Sequence, residues 1–184
     1  MAGPRFRSAT RARRAAPAAL LATLIAAGCG GGATGHHSPP PGPRLPSAAR
    51  WLSYDPAAKT ASLTLVAAYN HAYSGFNFDG YTKGQVIFEI PAGWQVTVTC
   101  DNRFTRPISC AVASLGDTTP AFPGASTPDP TVGLPPGSSA TFTFTPTRPG
   151  AFRVLSLVPG DQEGGLWDVF EVLGAGTPGT TTRP

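Results

Sequence analysis

A chain of 184 residues, 41% hydrophobic and 13% charged, has room for one domain plus extensions. Its formal charge of +4 suggests nucleic acid or acidic membrane, but five of the Lys+Arg (Arg5, Arg7, Arg11, Arg13, Arg14) precede the first apolar run. From Cys29 onward nine Lys+Arg stand against ten Asp+Glu, a net of about −1 that leaves no electrostatic footprint for nucleic acid.

The N-terminus reads as a targeting segment. Met1–Arg14 is basic and Ala15–Ala27 is apolar, and that run is too short to span a bilayer, so residues 1–28 are predicted to be a secretory signal. Ile25-Ala26-Ala27-Gly28-Cys29 resembles a bacterial lipoprotein signal, with Ala26 where the usual motif prefers Leu. That resemblance implies lipidation of Cys29, which would become the new N-terminus. A diacyl group there buries methylenes at ~0.8 kcal/mol each and holds the protein at a membrane without a spanning helix. The expected location is the bacterial cell envelope, on the outer face of the cell membrane or its periplasmic side. Arg13-Arg14 lacks the flanking residues of a twin-arginine signal and reads as ordinary basic charge. Residues 29–46 read as a Gly/Pro-rich linker, too poor in apolar residues to fold. Its His36-His37 pair is a weak metal site without further ligands.

The folded domain is predicted over residues 47–173. Period-two patterning marks strands at Ser62–Tyr69, Gln85–Ile90, Trp94–Cys100, Ser109–Ser114, Ala140–Thr145, Ala151–Val158 and Trp167–Leu173. In Trp94–Cys100 the residues Val96, Val98 and Cys100 share one face and Thr97 and Thr99 the other. In Ala140–Thr145, Phe142 and Phe144 point in and the threonines out. No segment sustains a 3.6 period with caps, and short strands between turn signals argue for an all-β sandwich or barrel. Pro120–Gly137 reads as a Pro-rich surface loop and residues 174–184 as a disordered tail. With Cys29 set aside, Cys100 and Cys110 remain as an even pair flanking one connection. In an oxidising compartment they are expected to form a disulfide. A redox-active or metal-binding pair is the rival reading, but CxxC spacing is lacking.

Phe76-Asn77-Phe78-Asp79-Gly80-Tyr81, Gly84, Ile90-Pro91-Ala92-Gly93-Trp94 and Val96-Thr97-Val98 together resemble the sulfocyanin family of cupredoxins. There a similar FNFNGY…G…VPxGW stretch precedes the copper site. The likeness continues through Pro136-Gly137-Ser138-Ser139-Ala140 with Phe142 and Phe144, then Pro149-Gly150, Val158-Pro159-Gly160, Trp167-Asp168 and Phe170-Glu171-Val172. It implies a cupredoxin-like Greek-key β-sandwich of about eight strands.

A type 1 copper site takes two His, a Cys thiolate and usually a weak axial Met. In the family the first His follows a Pro and precedes a Ser, where this chain has Ile108. The closing loop supplies Cys, then His five on, then Met five further, where this chain has Ser156, Asp161 and Leu166. The spacing is kept and all four ligands are replaced, so no copper or other cofactor is expected. Ile108 and Leu166 could fill the former cavity at ~1.5–3 kcal/mol each if buried. Asp161 could face solvent or pair with Arg153 or Arg106. A hard-ion site from Asp161, Glu163 and Ser156 would offer few oxygens for calcium. His71, the one His within the domain, more often marks a surface side chain than a ligand.

No nucleophile elbow, HExxH or Walker loop is present, so the sequence points away from an enzyme. Two functions remain in view. One is a copper-free, lipid-anchored cupredoxin-like module that binds an unidentified envelope protein or is purely structural. The other is a copper-binding or electron-transfer protein with a non-standard ligand set, such as His71, Asp161 and His36-His37.

Overall fold

The computed structural model describes residues 45–183. Two β-sheets face each other across a shared core. Four strands form the first: β1 (Leu52–Asp55), β2 (Thr60–Ala67), β4 (Gln95–Asn102) and β6 (Ser139–Phe144), ordered β1-β2-β4-β6. Five form the second: β3 (Val86–Pro91), β5 (Ala111–Ser114), β7 (Gly150–Leu155), β8 (Trp167–Leu173) and β9 (Gly179–Thr182), ordered β5-β7-β8-β3-β9. β2 runs parallel to β4, and β3 parallel to β8, while the other pairs are antiparallel. Parallel neighbours cannot be joined by a hairpin, so the chain passes repeatedly from one sheet to the other. The all-β sandwich has the cupredoxin-like topology the sequence led us to expect.

The predicted faces are the observed ones. Val96, Val98, Cys100, Phe142 and Phe144 are buried between the sheets, with Leu63, Leu65, Phe88, Ile90 and Phe170. On the outside of the first sheet, Thr97 pairs with Thr143 and Thr99 with Thr141. Phe122, Phe142, Phe144, Phe152 and Phe170 form a chain of ring contacts through the core. At about 1.5–3 kcal/mol per buried large side chain, this layer supplies the main drive for folding.

Four differences from the sequence reading have physical causes. The tail predicted as disordered contains β9, which adds antiparallel to β3 and covers that strand's free edge. β1 was not expected, because only Leu52 of its four residues is buried. Within Pro120–Gly137, Phe122, Ala125 and Thr127 are buried, so this loop is partly core. The Gly-rich loop after β7 holds a single helical turn, α1 (Asp161–Gly164), bounded by Gly160 (φ 88°) and Gly165 (φ 111°). Glycine reaches that left-handed backbone without the Cβ penalty. Cys100 and Cys110 form a disulfide. Among the described residues no helix is long and apolar enough to cross a membrane. The predicted signal, Cys29 and the linker with His36-His37 lie outside the described residues.

Candidate functional site

The four positions that the sequence resemblance singled out come together at one end of the sandwich. Ile108 lies in the crossing from β4 to β5, Ser156 directly follows β7, Asp161 opens α1, and Leu166 immediately precedes β8. All four are buried. The backbone knits them into one unit. Ser156 N–H donates to Leu166 O (3.1 Å), and Leu166 N–H to Asp161 O (2.9 Å). Ile108 exchanges two backbone hydrogen bonds with Leu134, and Ser109 N–H donates to Ser156 Oγ (3.0 Å). Leu157 N–H in turn donates to Ser109 Oγ (2.8 Å).

The side chains divide into an apolar pair and a polar pair. Ile108 and Leu166 belong to the main hydrophobic cluster. Ser156 Oγ donates to Asp161 Oδ2 (2.6 Å), and Arg106 Nη2 donates to Asp161 Oδ1 (2.6 Å). Asp161 is fully buried while Arg106 is 40% exposed, so a charge taken out of water is met by a cation at the rim. Burial pushes the Asp161 carboxyl above its ordinary value; the Ser156 hydrogen bond and Arg106 pull it back, and Glu163 adds to the rise. Of the two candidate cations, Arg106 makes the pair. Arg153 instead donates to Gln162 Oε1 (2.7 Å) and lies over the Trp167 ring at 4.0 Å. Arg106 also lies over Phe76 (5.5 Å) and Phe104 (6.0 Å).

This donor set does not fit type 1 copper. Ile108 and Leu166 offer no ligand atom, Ser156 offers a hydroxyl already engaged with Asp161, and both Asp161 oxygens are committed. The chain's single Met is Met1, far from the loop in sequence. Among the described residues no group of three or more His, Cys, Asp and Glu gathers where a metal could sit. A hard-ion site at Asp161, Ser156 and Glu163 fails on the same geometry, since Glu163 is exposed. His71 lines a separate cleft and joins neither Asp161 nor the disulfide.

The chain matches the family described as the sulfocyanin (SoxE) domain over residues 47–178. It belongs to the sulfocyanin family. A sulfocyanin of Sulfolobus acidocaldarius is 28% identical over 130 residues, covering 64% of this chain and 65% of that protein, so the likeness spans just under two thirds of the relative's length. Among solved structures, reduced auracyanin from Roseiflexus castenholzii aligns at 23% identity with a TM-score of 0.44, covering 61% of this chain and 96% of that one. Rusticyanin from Thiobacillus ferrooxidans aligns at 19% identity with a TM-score of 0.46, covering 67% and 88%. This sulfocyanin domain therefore keeps the family's frame and lacks an intact metal site among its described residues.

Several important residues escaped the sequence reading. Asn77 and Asn102 are fully buried. Asn77 Nδ2 donates to Asn70 O (3.1 Å) and Ala72 O (2.9 Å), fixing the loop after β2. Asn102 Nδ2 donates to Arg106 O (3.0 Å) and Leu134 O (2.8 Å), which sets the backbone that carries Arg106 and Ile108. Asn77 belongs to the Phe76–Tyr81 stretch, whose resemblance to the family was the available signal. Asp79 and Asp168 are buried as well. Burial is the main cause that raises their carboxyls, to about 8 and about 7.

Proposed function

We propose that this protein is an exported, lipid-anchored member of the sulfocyanin family that works as a non-enzymatic binding or structural module rather than as an electron carrier. The observation that carries the reading is the Ser156–Asp161–Arg106 network, flanked by Ile108 and Leu166, at the positions where the family resemblance puts copper ligands. A carboxylate tied to a guanidinium and a hydroxyl is already satisfied. Recruiting a soft, oxidisable metal there would mean breaking a charge-assisted pair and leaving a buried charge behind. Anchoring through Cys29, and contact with an envelope protein at this end of the sandwich, complete the reading; the lipoprotein-like Ile25–Cys29 stretch and the Gly/Pro linker support it.

Metal analysis of the purified protein tests the site. After copper loading and dialysis against a weak chelator, the expected copper content is well below stoichiometric, without thiolate-to-copper colour. Stoichiometric retained copper would overturn the reading. Anchoring is tested by Cys29→Ala, which should move the protein from the membrane fraction to the soluble fraction of the producing cell.

A further inference from the structure

Beside the closed site lies a cleft of about 300 Å³ between the loop after β2 and the segment after β4. Asn70, His71 and Ser74 form one wall, and Arg103, Phe104 and Thr105 the other. The polar groups are an imidazole, a guanidinium, two hydroxyls and an amide, and no carboxylate lines the cleft. Asn70 Oδ1 already accepts from Ala72 N–H (3.0 Å), so the remaining capacity of that amide is as a donor. Arg103 gives Nε–H to Asp101 (2.8 Å), which is not among the residues lining the cleft. Asp101 fixes the guanidinium while both Nη groups keep their hydrogens, and the imidazole adds a second nitrogen donor.

Both walls are pinned from beneath by a buried amide. Asn77 holds Asn70 and Ala72 through their carbonyls, and Asn102 accepts from Phe104 N–H (2.8 Å) through Oδ1. Arg103 N–H donates to Ala67 O (3.2 Å), tying the two walls together. Between them Ala68 (φ 53°), Tyr73 (φ 54°) and Ser74 (φ 55°) hold left-handed backbone that L side chains rarely adopt. Strain of this kind persists where the surroundings over-determine it, and it collects at ligand clamps. Gly75 completes the turn, and a Cβ there would come within 2.8 Å of the Phe104 ring.

We propose that this cleft binds a small molecule bearing an oxyanion, a carboxylate or a phosphate. The anion sits at Arg103 and His71, with Ser74 and Thr105 as further hydroxyl donors, and the compact body lies on Phe104. With a guanidinium, an imidazole and two hydroxyls able to donate, and no carboxylate among the lining side chains, the cleft favours a ligand rich in acceptors. A guanidinium bonds such groups in pairs, and the cleft's size excludes a folded chain. This deepens the binding-module reading and rests on it, yet the two fail separately: retained copper overturns that reading and leaves anion binding unaffected.

The test is an amide NMR titration of the purified protein with inorganic phosphate and with benzoate, whose carboxylate and ring match the two halves of the cleft. Saturable shifts confined to residues 70–75 and 103–105, with a Kd of about millimolar or tighter, are expected for at least one probe. Arg103→Ala and His71→Ala, both at solvent-reached positions, should each weaken binding, the former about ten-fold. Thr141→Ala, on the outer face of the first sheet, should bind like the unaltered protein. Non-saturating shifts, or unchanged binding by both cleft variants, would overturn the proposal. So would Arg103-dependent sedimentation with phosphatidylglycerol vesicles without response to either free anion, since the site would then be a headgroup contact.

Discussion

Asp79→Asn should stabilise this protein, and the gain should grow with pH. Asp79 is 1% exposed. Its Oδ1 accepts Val66 N–H (2.8 Å), while Oδ2 is buried without a hydrogen-bond partner. Burial is the largest cause lifting the carboxyl to about 8; the Val66 bond opposes the rise and the nearby Asp168 carboxylate adds to it. The sign follows from linkage. Unfolded, the group loses its proton near its ordinary value of about 4, whereas folded it keeps the proton to about 8. Between those limits the unfolded state binds fewer protons, so stability is full below pH ~4 and falls as pH rises toward about 8.

At about 1.4 kcal/mol per pH unit, neutrality costs at most ~4 kcal/mol at pH 7, and structural relaxation reduces the measurable part to roughly 1–3 kcal/mol. Asn is neutral at every pH, matches the shape of Asp and tolerates the left-handed backbone at this position (φ 59°). It is also the residue in the family stretch that Phe76–Tyr81 resembles. Urea unfolding of both proteins from pH 4 to pH 8 measures the difference. The expected result is near-equality at pH 4 and an advantage for Asp79→Asn that widens up to pH 8. A difference that stays constant across that range would refute the electrostatic reasoning.

Other perturbations test the closed site and its frame. Arg106→Ala removes the cation facing buried Asp161 and should cost ~1–3 kcal/mol at pH 7 in urea unfolding. The loss should shrink toward pH 4 as Asp161 is protonated, and equal losses at both pH values would point to lost packing on Phe76 and Phe104 instead. Cys100→Ala with Cys110→Ala opens a crosslink between residues separated by 10 in sequence. That should lower stability by ~2–3 kcal/mol, read as a lower midpoint in guanidinium. Restoring Ile108→His, Ser156→Cys, Asp161→His and Leu166→Met together should give a variant that binds copper and turns blue. A folded but colourless variant would count against the assignment of those four positions to the copper site.

Much of the frame was legible because its strands are asymmetric. Thr97 and Thr99 alternate with Val96, Val98 and Cys100, and Thr141 and Thr143 with Phe142 and Phe144, which leaves one register that buries the apolar set. β9 was not legible, since Gly179–Thr182 has no apolar face and acquires order from the edge of β3. At the site, the four positions emerged from the likeness to sulfocyanins and its spacing, not from composition. Their burial and hydrogen bonding required the fold. Arg106 and Arg153 were equal candidates for Asp161, because only the crossing from β4 to β5, held by Asn102, decides which guanidinium arrives. Asp168 shares the inward face of β8 with Phe170 and Val172, so period two already placed it inside, whereas Asp79 sits in a loop where no periodicity marks its burial.

The closed site is more than a cavity filled with apolar atoms. Ile108 and Leu166 alone would have been the simple replacement, but two of the four positions are polar, and a buried carboxylate is stable here only with partners on both oxygens. That requirement extends the site outward. Asp161 fixes Arg106, Arg106 lies across Phe76 and Phe104, and those two rings meet edge to face with centroids 5.1 Å apart. Phe104 is also a wall of the donor-lined cleft. The network at the positions where the family resemblance puts copper ligands thus buttresses the neighbouring surface. Loosening Asp161 should be felt in that cleft before it is felt in the sheets, where none of the strand pairing depends on its side chain.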